Sequence, residues 1–182
     1  MKYARIEGFY LEIEGTPVAQ RTAIFSPDRL YRYVLTREWG EGDRRMIVIG
    51  LNPSTADEQK DDPTIRRCIS FAKREHCDGL IMLNLFALRA TNPNALTTHP
   101  APIGPENDEY LMKYLAAAGA SLPGVTLAAW GDPGPHHRRA VRVLGWSGRR
   151  TMCLGKTKHG YPRHPLYVRG DAPLERYSGG DE

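Results

Sequence analysis

Three short polar motifs interrupt the apolar stretches of this chain. They are Gly50-Leu51-Asn52-Pro53-Ser54, Leu83-Asn84-Leu85-Phe86 and Arg163-His164-Pro165. An asparagine amide carries two donors and an acceptor, and a neutral imidazole carries one of each. Asn84 therefore holds the pairing that selective readout of a planar ligand edge requires. Asn52 can orient a ligand or a water, but an amide is not a strong general base. Phe86 offers a face for stacking, and the alternative for Phe86 and Trp130 alike is an ordinary place in the core. Asn84 has an alternative too, as a cap on a strand end, and His164 as a loop histidine satisfied locally.

The remaining polar groups narrow the chemistry. His136 and His137 lack the i, i+4 spacing of a helical metal pair. Cys68, Cys77 and Cys153 are scattered without a C-x-x-C, which argues against a disulfide framework and against a cysteine-rich zinc or iron–sulfur site. No metal and no cofactor is expected. Arg138, Arg139 and Arg142, joined further along by Arg163, form either a solvated face or a phosphate-contacting patch.

The elements that must position these residues follow from the apolar pattern. Met46–Ile49 reads as a buried strand that ends in the Gly50–Ser54 turn. Asp62 reads as an N-cap with Pro63 at the first helical position. Ile65, Cys68, Ile69 and Ala72 then give one apolar helix face. Residues 79–86 form a second continuous apolar run, as parallel strands do. A Pro-rich loop over 90–105, a helix over 106–118, a strand at Val125–Trp130, a basic helix from Pro135 to Leu144 and a strand at Thr151–Leu154 complete the pattern. Alternating strands and helices predict an α/β fold of three layers, with a central, mostly parallel four-stranded sheet. Ligands bind such sheets beyond the carboxyl ends of the strands, where Asn52, Phe86 and Gly131 fall.

The chain reads as one domain over 1–182: an N-terminal β arm (1–40), with a strand or hairpin arm over residues 3–14 and a second strand candidate at Tyr31–Arg37, a core (45–168) and a frayed tail (171–182). Its 25 Lys+Arg against 21 Asp+Glu give a net charge of +4, compatible with a phosphate-bearing partner. Acids within the N-terminal 15 residues argue against a signal peptide. No apolar run is long enough to span a membrane. A soluble, cytoplasmic monomer is expected.

In this order, IGLNPS, MLNLFALRA, LAAWG and RHPLYV resemble the motifs of the uracil-DNA glycosylase superfamily over about residues 46–168. At finer scale GLNPSTADE, DDPTIRRC and NLFALRAT are similar to a bacterial and phage family of unknown function. The broader resemblance implies a glycosylase-like hydrolase acting on a modified or mismatched pyrimidine in DNA. It implies Asn52 as the residue that positions the water and His164 as a donor to the leaving base. It also implies that Gly50, Leu51, Pro53, Ser54, Asn84 and Phe86 hold the base. Arg138, Arg139, Arg142 and Arg163 would meet phosphates.

Two departures bear on catalysis. Asn52 stands where the fastest members carry an aspartate, with Asp57, Asp61 and Asp62 as other carboxylates nearby. Leu166 follows the His-Pro pair where active members carry small polar residues. The alternatives are a catalytically inactive nucleic-acid or nucleotide-binding protein of the same fold, and an enzyme acting on a free nucleotide.

Overall fold

Residues 46–49 and 80–83 are almost completely buried on both faces, which a strand achieves only inside a sheet covered on both sides. In the computed structural model, which describes residues 20–120, 123–147 and 151–179, they lie at the centre of a seven-stranded sheet. The strands are β1 (Arg21–Phe25), β2 (Arg32–Glu38), β3 (Arg45–Gly50), β4 (Gly79–Asn84), β5 (Gly124–Ala128), β6 (Thr151–Cys153) and β7 (Glu175–Arg176). Their spatial order is β1-β2-β4-β3-β5-β6-β7.

The fold is therefore α/β, but the expected four-stranded sheet is corrected to a mixed sheet of seven. β4, β3, β5 and β6 pair in parallel, whereas β1 with β2, β2 with β4, and β6 with β7 pair antiparallel. The added strands come from the segments read as an arm and a tail. The six residues 26–31 turn β1 into β2, and a connection that short closes an antiparallel pair. β2 then joins the sheet because Val34 and Leu35 are apolar on opposite faces, and both are buried. At the other edge β7 pairs with β6, and Tyr177 packs edge-on against Trp130 at 5.6 Å between ring centres. Up to residue 179 the segment read as frayed is thus tied down. The strand or hairpin arm expected over residues 3–14 lies outside the described residues.

Alternation along β3 divides the core. Met46 and Val48 face α1 (Pro63–Arg74), whose Ile65, Cys68, Phe71 and Ala72 are buried. Ile47 and Ile49 face the other layer, where α3 (Asn107–Ala120) and α4 (His137–Ser147) supply Leu111, Leu115, Ala140 and Val143. A single turn of helix, α2 (Ala95–Thr98), sits in the Pro-rich loop. Among the described residues no helix is long and apolar enough to cross a membrane.

The parallel register matters most for the site. Gly50 pairs with Asn84, and Ile49 with Ala128, so the carboxyl ends of β3, β4 and β5 finish side by side.

Candidate functional site

Beyond those strand ends opens a cavity of about 880 Å³, within the roughly 300–1,000 Å³ span of small-molecule sites. Gly50, Leu51, Asn52, Ser54, Asn84, Arg163 and His164 all line it. Pro53 and Phe86 do not. Phe86 is buried among core residues and packs edge-on against His136 at 4.7 Å, so it presents no stacking face to the cavity.

The turn after β3 is stitched to the segment after β4. Leu85 and Phe86 donate their amides to the carbonyls of Gly50 and Leu51, and Ala90 donates to Pro53. Asn52 closes the same seam: its Nδ2 donates to the carbonyls of Ala90 (2.8 Å) and Pro53 (3.0 Å). Both amide hydrogens are thereby used. Its Oδ1, which has no partner among the described residues, is the free end.

Asn84 has the opposite arrangement. It is 1% exposed, and its Oδ1 accepts from the Arg32 guanidinium at 3.1 Å. Because arginine has no acceptor, the oxygen must face Arg32 and Nδ2 must face away. Nδ2 is buried without a partner. It lies toward Gly50, where an added Cβ would come within 2.8 Å of it. The pairing of donor and acceptor expected of Asn84 is reduced to a free donor.

Arg32 is the residue that motif reading missed. It enters the cavity wall from β2 and is 2% exposed. It donates to Asn84 and to the Ala56 carbonyl (3.1 Å), and its Nε is unpaired. Burial pulls its pKa down to about 10, partly opposed by the charge of Asp62, and it remains a cation at neutral pH. The available signal was an arginine beside Tyr33-Val34-Leu35 in a run that reads as buried strand.

Asp62 does two things at once. Its Oδ1 caps α1 by accepting from the Ile65 amide (2.8 Å), and the residue also lines the cavity. Its Oδ2 has no partner among the described residues. His164 approaches from the far side of the chain, on a short 3-10 turn (Pro165–Tyr167) anchored to α1 where Arg67 donates to the Val168 carbonyl at 2.6 Å. The Leu166 amide donates to His164 Nδ1 at 3.3 Å, leaving Nε2 to carry the proton of the neutral ring. Burial pushes the imidazole below its ordinary pKa, and the carboxylate of Asp62 partly opposes this.

The basic run behaves differently from the phosphate patch expected of it. Arg139 is buried, with Nε donating to the Leu85 carbonyl (2.8 Å) and its guanidinium paired with Asp108 at 2.6 Å. Arg142 reaches the same carboxylate at 3.5 Å. These two hold α4 to α3. Arg138 is exposed and lies outside the cavity. The cations at the mouth are Arg163 and Lys158, beside a Tyr167 that is 79% exposed. Among the described residues no group of three or more His, Cys, Asp or Glu is placed to hold a metal ion.

A family model described as "Protein of unknown function (DUF1643)" matches residues 32–166, and the chain belongs to that family. No curated protein and no solved structure matches the chain.

Proposed function

We propose that this member of the family is a glycosylase-like hydrolase, cleaving the N-glycosidic bond of a modified or mismatched pyrimidine in DNA. The observation that carries the reading is that Asn52, Asn84 and His164, far apart in the chain, line one cavity at the carboxyl ends of β3 and β4. The parallel run β4-β3-β5-β6 with helices on both faces supports a glycosylase-like arrangement.

In this mechanism a flipped base enters the cavity. Asn84 Nδ2 donates to an oxygen of the base, and His164 Nε2–H donates to the base as it departs. A water held by Asn52 Oδ1 attacks C1′ and gives a proton to the Asp62 carboxylate. The C–N bond breaks with its electron pair on the base. Asp62 thus supplies the carboxylate that position 52 lacks. Lys158 and Arg163 meet the phosphates flanking the extruded nucleotide.

The reading is tested with oligonucleotides that each carry one modified or mismatched pyrimidine, followed by alkaline cleavage at any abasic site. At least one should yield product, reduced about 100-fold or more in Asn52→Ala and His164→Ala. Absence of product from every oligonucleotide refutes turnover. Salt-dependent binding without product would instead favour the binding-only alternative, to which the full engagement of the Asn52 amide hydrogens in its loop lends support.

A further inference from the structure

The loop of residues 51–62 carries Asn52 near one end and Asp62 at the other, with no helix or strand between β3 and α1 to stiffen it. Among the described residues, the bonds that residues 55–61 make to one another are confined to one turn. There Asp57 Oδ1 accepts from the Gln59 and Lys60 amides at 2.8 and 2.7 Å, and the Asp57 amide donates to the Lys60 carbonyl. Much of the remaining support comes from arginines of β1, β2 and the turn between them. Arg21 reaches Asp61 (2.8 Å), Arg29 reaches Glu58 (2.9 Å), Arg32 the Ala56 carbonyl (3.1 Å) and Arg37 again Asp61 (2.8 Å).

Exposure ranks these contacts. The Arg29–Glu58 pair leaves 48% and 39% of its side chains in water, and exposed ion pairs stabilise little. The Arg37 side chain is 4% exposed and that of Asp61 16%. Arg37 Nε donates to Asp61 Oδ1, Nη2 to the Asp57 carbonyl and Nη1 to the Thr36 carbonyl. A planar guanidinium with every nitrogen engaged fixes direction as well as distance. One buried side chain thus ties two points of the loop to β2.

Asp61 passes this constraint to its neighbour. Its carboxylate is held by Arg37 and Arg21, and its carbonyl accepts from Arg66 Nη1. Asp62 has an extended backbone (φ −80°, ψ 171°), and adjacent side chains of an extended chain point to opposite sides. With Asp61 drawn toward β1 and β2, the Asp62 carboxylate is turned to the α1 cap and the cavity wall.

We infer that Arg37 is a positioning residue for the proposed hydrolysis: through Asp61 and the Asp57 carbonyl it sets where the Asp62 carboxylate stands. Arg37 itself is not part of the cavity wall. The inference rests on the reading of Asp62 as acceptor of the water's proton, and adds the structure that aims it.

Arg37→Met is the test, read in the wild type and in Asp62→Asn. A misplacement of about 1 Å costs on the order of 100-fold in rate, so kcat should fall about 10- to 100-fold. KM should stay within about twofold, because no substrate contact is removed. In Asp62→Asn the same substitution should cost less than about twofold more, whereas a merely structural role lowers both backgrounds alike. An NMR titration of His164 gives a second readout without substrate. Loss of a cation by itself raises an imidazole pKa, but displacement of the Asp62 carboxylate lowers it. His164 should therefore titrate lower in Arg37→Met than in the wild type. Wild-type turnover, an additive loss, or a His164 that rises or stays overturns the inference. If Arg37→Met does not fold, Asp61→Asn releases the ion pair at constant shape. It should show the same non-additivity with Asp62→Asn, and an additive loss there also refutes the inference. If no oligonucleotide yields product, the hydrolase reading fails by itself, and the His164 titration alone decides whether Arg37 aims Asp62.

Discussion

Asp62 offers a substitution pair that separates structure from chemistry. Its Oδ1 caps α1 through the Ile65 amide at 2.8 Å, while its charge acts on Arg32 and His164 across the cavity. Asn caps a helix about as well as Asp, whereas Ala forfeits the cap at about 1 kcal/mol. Asp62→Asn and Asp62→Ala therefore share the loss of charge and differ by the cap alone. For a chain of this size 1 kcal/mol corresponds to roughly 2–4 °C in Tm, so the Asn variant should melt that much above the Ala variant. The charge has its own readout. The carboxylate draws the His164 pKa upward against burial, so in Asp62→Asn an NMR titration should place His164 lower than in the wild type. If the carboxylate takes the proton of the attacking water, both variants should also lose about 10²- to 10⁴-fold in turnover. Equal melting temperatures would refute the cap, an unmoved His164 would refute the electrostatic link, and wild-type turnover in Asp62→Asn would refute the assignment of the base.

Two further outcomes follow from the surroundings of the cavity. Burial holds His164 below its ordinary pKa, so the folded chain resists a proton that the unfolded chain accepts. Stability due to the neutral ring is complete above about pH 6.5 and is lost as pH falls from there through the depressed folded value. Chemical denaturation from pH 8 to 5 should show His164→Gln losing less stability than the wild type over the acid limb, and parallel curves would contradict this. The arginines should divide by role: Arg163→Ala should lower the salt slope of nucleic-acid binding by about 1. Arg138→Ala should leave slope and stability nearly unchanged. Arg139→Met should cost about 1–3 kcal/mol of stability through its lost partners. A full salt slope in Arg163→Ala would remove that residue from the phosphate contacts.

How far the sequence discloses this arrangement depends on the range of the interactions involved. The strands at Met46–Ile49 and residues 79–84 and the helix begun by Asp62 and Pro63 were legible because their signals are local: apolar runs, a cap and a proline at N1. Cavity-lining positions at Asn52 and Asn84 followed from placing motifs at strand ends, and that at His164 from the resemblance of its His-Pro motif. The edges of the sheet were not legible in the same way. β7 is two residues long and only its distant partner β6 makes it a strand, whereas β2 was legible as a strand over Tyr31–Arg37 but its pairing with the distant β4 was not.

The arginines show the same limit at the level of single side chains. Arg138-Arg139 reads as one basic run, yet adjacent residues on a helix point in different directions. Arg139 turns inward to a carbonyl 54 positions earlier and to Asp108, while Arg138 stays in solvent. Arg32 carries no motif at all, and its meaning arises only when β2 is laid against β4 and its guanidinium meets an amide 52 positions later. That contact also decides something the asparagine cannot decide by itself. A side-chain amide is nearly symmetric in shape and can present either end to a ligand. The fixed donor of Arg32 removes one of the two orientations, and so converts a general hydrogen-bonding residue into a directional one. In the proposed reading, specificity in this cavity is set from β2, by a residue that lies outside the motifs lining it.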